Sequence, residues 1–123
     1  MSYDLKYNSD FRIIEIVLVG LLSARDVRKC TEEALVLQKE LGVYACLIDA
    51  IDLVSISSIT DLYDLPDQYQ DGGLSRLIRI AWVSPKLPAA REAMQFYDNV
   101  CNNRGWTVQP FETRNEAVEW LPS

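Results

Sequence analysis

From Phe11 to Val19 the chain carries Ile13, Ile14, Ile16, Val17 and Val19, with only Arg12 and Glu15 interrupting the apolar run. A run this rich in β-branched residues predicts a strand whose far end is covered on both faces. A shorter strand is predicted at Tyr3–Tyr7, and the turn formers Asn8, Ser9 and Asp10 join the two as a hairpin. After Ser23 the period changes. Val27, Cys30, Ala34, Leu37 and Leu41 step by three and four, which predicts a helix over 24–41 with Gly42 as its stop.

Val43–Ala50 is apolar until Asp49 and predicts an interior parallel strand. A second helix is predicted from about Ile59 to Leu65, with Ser57 or Ser58 as N-cap and Asp61 and Asp64 in its early turns. Pro66 is expected to break or kink it, and Asp71, Gly72 and Gly73 to close the unit with a turn. A third parallel strand follows at Leu77–Val83. The next helix begins near Pro88, turns Ala93, Phe96, Tyr97, Val100 and Cys101 inward, and stops at Gly105. Trp106–Phe111 is the last strand, and Thr113 with Glu116 forms a capping box that opens a final helix to Leu121.

The predicted order is ββαβαβαβα. Alternating strand and helix implies an α/β fold with a mostly parallel five-stranded sheet, an antiparallel first strand, and four helices. With no internal repeat or linker in the pattern, one domain is expected over 1–123.

Composition narrows the chemistry. The chain has 123 residues, 49% of them hydrophobic, a net charge of −6 and no histidine. A chain of this length buries enough surface to need neither disulfide nor metal. Without histidine there is no Ser-His-Asp triad, Cys-His dyad or His-ligated zinc. The acidic balance is not that of a phosphate-backbone binder, so no nucleic-acid partner is expected. Met1 to Asp10 has the charges Asp4, Lys6 and Asp10 and no apolar core, so neither a secretory signal nor a transit peptide is expected there. The longest apolar stretch, Ile16–Leu22, falls far short of the ~20 residues that span a bilayer. Cys30, Cys46 and Cys101 lack a CxxC pair and sit in apolar patterns, which predicts reduced, buried thiols and a cytoplasmic setting. The hydrophobic content also makes a symmetric homodimer an expectation.

In an open α/β sheet, ligands bind outside the carboxyl ends of the strands. The most suggestive of these ends lies between Asp49 and Thr60. Asp49 and Asp52 are expected to flank a strand exit, while Ser55, Ser57, Ser58 and Thr60 crowd a helix start whose dipole favours an anion. An N-cap and an ordinary turn account for the same serines. The carboxylates match no cation loop, and Gly72-Gly73 matches no phosphate loop, so neither metal nor cofactor is expected. Arg76, Arg79, Lys86 and Arg91 bracket the third parallel strand and suit either an anionic ligand or a solvated face. Tyr63, Tyr69, Trp82, Phe96 and Tyr97 suit either an apolar pocket or the core. Pro66 and the Gly pair single out the segment from Ser58 to Gly73 as a candidate lid.

Two stretches, Leu47–Pro66 (LIDAIDLVSISSITDLYDLP) and Arg91–Leu121 (REAMQFYDNVCNNRGWTVQPFETRNEAVEWL), together with the element order, resemble the SpoIIAA-like family. These are the STAS domains of anti-sigma-factor antagonists, whose superfamily includes the lipid-carrying SEC14 (CRAL-TRIO) domains. The chain looks similar to the uncharacterised bacterial branch. The resemblance implies a SpoIIAA-like sandwich and a non-enzymatic regulatory module with a protein partner. It also implies a phosphoacceptor serine, within an Asp-Ser-Ser-Gly-like motif, at the start of the helix after the third strand. That motif falls on Ser57-Ser58-Ile59-Thr60, so Ser58 matches the phosphoacceptor, with Ser57 and Thr60 as the neighbouring hydroxyls. Ser57 stands in place of the aspartate, Ile59 in place of the second serine and Thr60 in place of the glycine. Asp49, Asp52, Tyr63 and Asp64 are the candidate partner or ligand contacts. The SEC14 branch implies the alternative, a carrier or sensor of a small apolar or lipid-like ligand.

Overall fold

In the computed structural model, which describes residues 3–57 and 59–122, the first two strands form the predicted hairpin. Strand β1 (Tyr3–Asn8) pairs antiparallel with β2 (Ile13–Leu22), from Tyr3 opposite Leu18 to Asn8 opposite Ile13. The Asn8 side-chain oxygen accepts from the backbone N–H of Asp10 at 3.0 Å and of Phe11 at 3.3 Å, so its carboxamide holds the turn. Helix α1 (Ala24–Leu41) starts at a capping box in which Ser23 and Asp26 bond each other's backbone. It ends at Gly42, where φ of +62° takes the left-handed turn open to a residue without a Cβ.

Strand β3 (Ala45–Ile56) corrects the sequence expectation, since it runs on past Ala50. The extension pairs with the far half of β2, which itself reaches Leu22, through irregularities at Val17/Val19 and Gly20/Leu21. Ile51, Leu53, Val54 and Ile56 favour the strand, and Asp52 interrupts without ending it because its side chain is exposed. Helix α2 (Ile59–Asp71) is a second correction, because Pro66 lies inside it and does not end it. Pro66 forgoes one backbone hydrogen bond, but its ring is fully buried beside Leu62, Leu65 and Tyr69 on the inner face of the helix. Packing of that face outweighs the local propensity. The N-cap expected at Ser58 lies outside the described residues. At the end of α2, Gly72 passes so close to α1 that a Cβ would stand 2.5 Å from Leu35 Cδ1.

The remaining elements follow the predicted order: β4 (Arg79–Val83), α3 (Pro88–Asn103), β5 (Thr107–Phe111) and α4 (Arg114–Trp120). The strands lie side by side in sequence order, β1-β2-β3-β4-β5, with all pairs after the hairpin parallel. The three successive crossovers between parallel neighbours place α1, α2 and α3 on one face, where all three line the same pocket. The fourth helix covers the other face, where Arg114 of α4 bonds the buried Glu15 of β2 while its neighbours Ile14 and Ile16 point toward the three-helix side. Among the described residues, no helix is long and apolar enough to cross a membrane.

Candidate functional site

The inner face of α2 forms one wall of a partly open chamber against the sheet, α1 and α3. Its volume is about 90 Å³, and its wall includes Ile16, Val27, Ile48, Leu62, Leu65 and Met94. Chain order explains the placement. Alternate residues of β2 and β3 point to the three-helix face, and the three-to-four spacing of Leu62, Leu65 and Tyr69 turns one stripe of α2 toward them. Tyr69 and Tyr97 also line the chamber, and their hydroxyls are hydrogen-bonded to each other at 2.8 Å. Burial pushes both phenols well above their ordinary pKa.

Cys30 and Cys46 lie on the same wall, and Cys101 is buried near Tyr97. Burial pushes all three thiols up to about 12, so each is protonated at neutral pH. The Thr31 hydroxyl donates to Val27 O at 2.8 Å and is thereby satisfied within its own helix.

The outer face of α2 presents the predicted partner contacts. Ile59 and Tyr63 are each half exposed, and Thr60 and Asp64 are exposed. The helix is tied on both flanks: Arg28 of α1 reaches Asp61 at 3.5 Å, and Arg104 after α3 reaches Asp67 at 2.6 Å. The same Arg104 guanidinium lies 5.7 Å from the centre of the Tyr63 ring. Just ahead of the helix, the exposed Ser57 donates its backbone N–H to Leu22 O at 2.8 Å and closes the β2–β3 ladder. Ser58 lies outside the described residues.

Asp49 and Asp52 do not flank a strand exit. Both lie within β3 because the strand continues to Ile56. Asp49 sits opposite Val17 and Val83, and its carboxylate folds back to accept from the N–H of Ile51 at 3.1 Å. Asp52 pairs with Lys86 at 3.3 Å in solvent. The four predicted contacts therefore divide between two places, Asp49 and Asp52 on β3 and Tyr63 and Asp64 on α2.

The basic residues around β4 are occupied with structure. Arg76 lies 3.9 Å over the Trp106 ring and donates to Arg104 O at 2.7 Å, and Arg79 donates to Trp120 O at 2.9 Å. Arg91 donates to Pro85 O at 2.6 Å. Of the five aromatics singled out from sequence, Tyr69 and Tyr97 line the chamber, and Trp82 donates to the buried Asp98 at 2.8 Å. Phe96 packs at the edge of the core and Tyr63 lies outside it. The hydroxyl pair and the role of Arg104 escape sequence reasoning, since 28 positions separate Tyr69 from Tyr97 and 37 separate Asp67 from Arg104.

No protein-family model and no curated protein matches the chain. Solved structures do. An uncharacterised protein from Shewanella loihica, of the DUF3478 family and with a SpoIIAA-like fold, is 20% identical with a TM-score of 0.61, over 98% of this chain and 92% of its own. The anti-sigma factor antagonist SpoIIAA in its unphosphorylated form is 15% identical with a TM-score of 0.64, over 95% of this chain and 94% of its own. The five-stranded mixed sheet, the element order and the near-complete coverage of both chains establish a SpoIIAA-like fold.

Proposed function

We propose that this chain is a non-enzymatic regulatory module of the cytoplasm of a bacterium, acting by protein contact at the start of α2. The observation that carries this reading is the outer face of that helix. Ile59 and Tyr63, two large apolar side chains, stand half exposed beside Thr60 and Asp64, on a fold shared with an anti-sigma factor antagonist. Apolar and aromatic side chains ringed by polar ones suit the centre of a protein interface. Ser58, with Ser57 and Thr60 beside it, is the phosphoacceptor candidate, because a phosphate at a helix start gains from the dipole and the unpaired N–H groups there. Asp64 belongs to the same contact surface, and Asp49 and Asp52 are candidates for a partner that reaches over the β3 extension. A homodimer is part of the reading.

The test is native and then denatured intact mass of protein isolated from its own host, with binding of any co-isolated partner to the Ser58→Asp variant. A phosphate-sized increment that maps to Ser57, Ser58 or Thr60, with altered partner binding by the variant, supports the switch. A bare mass together with unchanged partner binding overturns it.

The chamber favours a second reading, a carrier or sensor of a small apolar ligand. It lies between the sheet and α2 and is walled mostly by aliphatic side chains. A non-covalent adduct that survives native but not denaturing conditions supports this reading, and failure of the protein to gain thermal stability with any apolar probe overturns it.

A further inference from the structure

We infer that the chamber under α2 selects uncharged ligands that combine an apolar body with one hydrogen-bonding group, with the Tyr69–Tyr97 hydroxyl pair as its polar anchor; this rests on the apolar-ligand reading. The argument begins with what the wall lacks. Among the described residues, twenty line the chamber and none of these is Asp, Glu, Lys or Arg. A carboxylate or phosphate brought inside meets no counter-charge, and transfer of an uncompensated ion from water is far costlier than transfer of a hydroxyl. The wall's own titratable groups respond to this environment. Cys30, Cys46, Tyr69 and Tyr97 are all driven toward their neutral forms by burial.

What the wall offers is a hydrogen bond. Two hydroxyls carry two protons, and the mutual bond at 2.8 Å uses one of them. Either hydroxyl can be the donor, and the proton left over is one that an acceptor brought into the chamber can take; when it is on Tyr97, the neighbouring Cys101 sulfur is a weak rival acceptor. A ligand hydroxyl or carbonyl oxygen accepts better than a thiol sulfur, so an alcohol or ketone gains a bond there that a hydrocarbon does not.

The size of the chamber sets the probe. At about 90 Å³ it is smaller than the ~150 Å³ apolar cavity that takes benzene, so xenon and a three-carbon molecule suit it. The experiment follows side-chain methyl resonances of Ile16, Ile48 and Leu65 while xenon, propan-1-ol or propanoate is titrated into the full chain at neutral pH.

The expected result is saturable shifts with xenon and propan-1-ol, and at least tenfold weaker binding of propanoate. Tyr69→Phe/Tyr97→Phe removes both hydroxyls, so that neither is left buried alone, and it is expected to keep xenon binding while weakening propan-1-ol about fivefold, the loss of one neutral hydrogen bond. Propanoate binding as tightly as propan-1-ol overturns the selection for neutral ligands but leaves the apolar-ligand reading standing. Unchanged propan-1-ol affinity in the double variant overturns the anchor. Absence of shifts with both xenon and propan-1-ol overturns the apolar-ligand reading, and this inference with it.

Discussion

Ala34→Leu tests the chamber without any ligand. Ala34 sits on α1, half-buried, with its methyl on the chamber wall, and leucine keeps the helix propensity of the site. The substitution adds three carbons toward an empty volume. At about 0.8 kcal/mol for each buried carbon the gain is about 2.4 kcal/mol. Counted instead as the removal of 90 Å³ of cavity, at about 24 cal/mol per Å³, it is about 2.2 kcal/mol. The two routes agree, and both are ceilings, because Ala34 is only half-buried and the new side chain must fit a chamber of fixed shape. The expected net gain is about 1 kcal/mol. Urea unfolding reads it as a higher midpoint with an unchanged slope, and thermal unfolding as a rise of about 3–5 °C for a domain of this size. Val36→Leu, on the exposed side of the same helix, is the control and is expected to change stability by less than about 0.5 kcal/mol. If Ala34→Leu lowers stability by 1 kcal/mol or more while the control is neutral, leucine is overpacked, the space is not there, and the reasoning about the chamber falls with it.

Other substitutions probe the surrounding framework. Tyr69→Phe alone leaves the Tyr97 hydroxyl buried without its partner and is expected to cost about 1–3 kcal/mol in urea unfolding, whereas the double Phe variant costs less than the single one. Glu15→Ala removes the buried carboxylate that joins Arg114 of α4 to Lys6 and Asn8 of the hairpin. It is expected to cost about 2 kcal/mol, below the usual toll for a broken buried pair because Arg114 is partly exposed and can rehydrate. In the folded protein at pH 8, Cys30, Cys46 and Cys101 are expected to react slowly with an aromatic disulfide reagent and all at once when urea unfolds the chain, since burial raises them to about 12. The same shift sets the sign of an alkaline effect. The folded state holds these protons more tightly than the unfolded one, so their contribution is complete below the ordinary thiol value of 9.0 and is lost as the pH rises toward 12, which a stability–pH series measures.

Most of the fold was legible because local signals and long-range packing agree. Ser23, Gly42 and Thr113 with Glu116 punctuate helices by hydrogen bonds made within four residues, and Pro88 by its fixed φ at the first helical position, and these marks are readable in a single chain. The two misreadings occur where a distant element decides. Ala50 reads as the end of a strand until β2 supplies a parallel partner as far as Ile56, and Pro66 reads as a helix break until the packed inner face of α2 buries its ring. The site was legible only in its parts. Tyr69 and Tyr97 are visible as aromatics, and Asp67 and Arg104 as charges, but their pairing depends on how α2 lies against α3, which no local pattern encodes.

Both functional readings use one helix. Ile59 and Tyr63 face outward from α2, and Leu62, Leu65 and Tyr69 face the chamber, so the surface offered to a partner and the wall offered to a ligand are two sides of a single rod. The ion pairs at its flanks, Arg28–Asp61 and Arg104–Asp67, are partly solvated and contribute modestly to holding it. The buried inner face does most of the holding, and that is the face a ligand touches. A ligand that fills the chamber therefore touches the same helix that carries the partner surface, and one that shifts this helix shifts that surface. Thermodynamic linkage then fixes the relation between the two readings: by whatever factor such a ligand changes the affinity of a partner for α2, the partner changes the affinity of the ligand by that same factor.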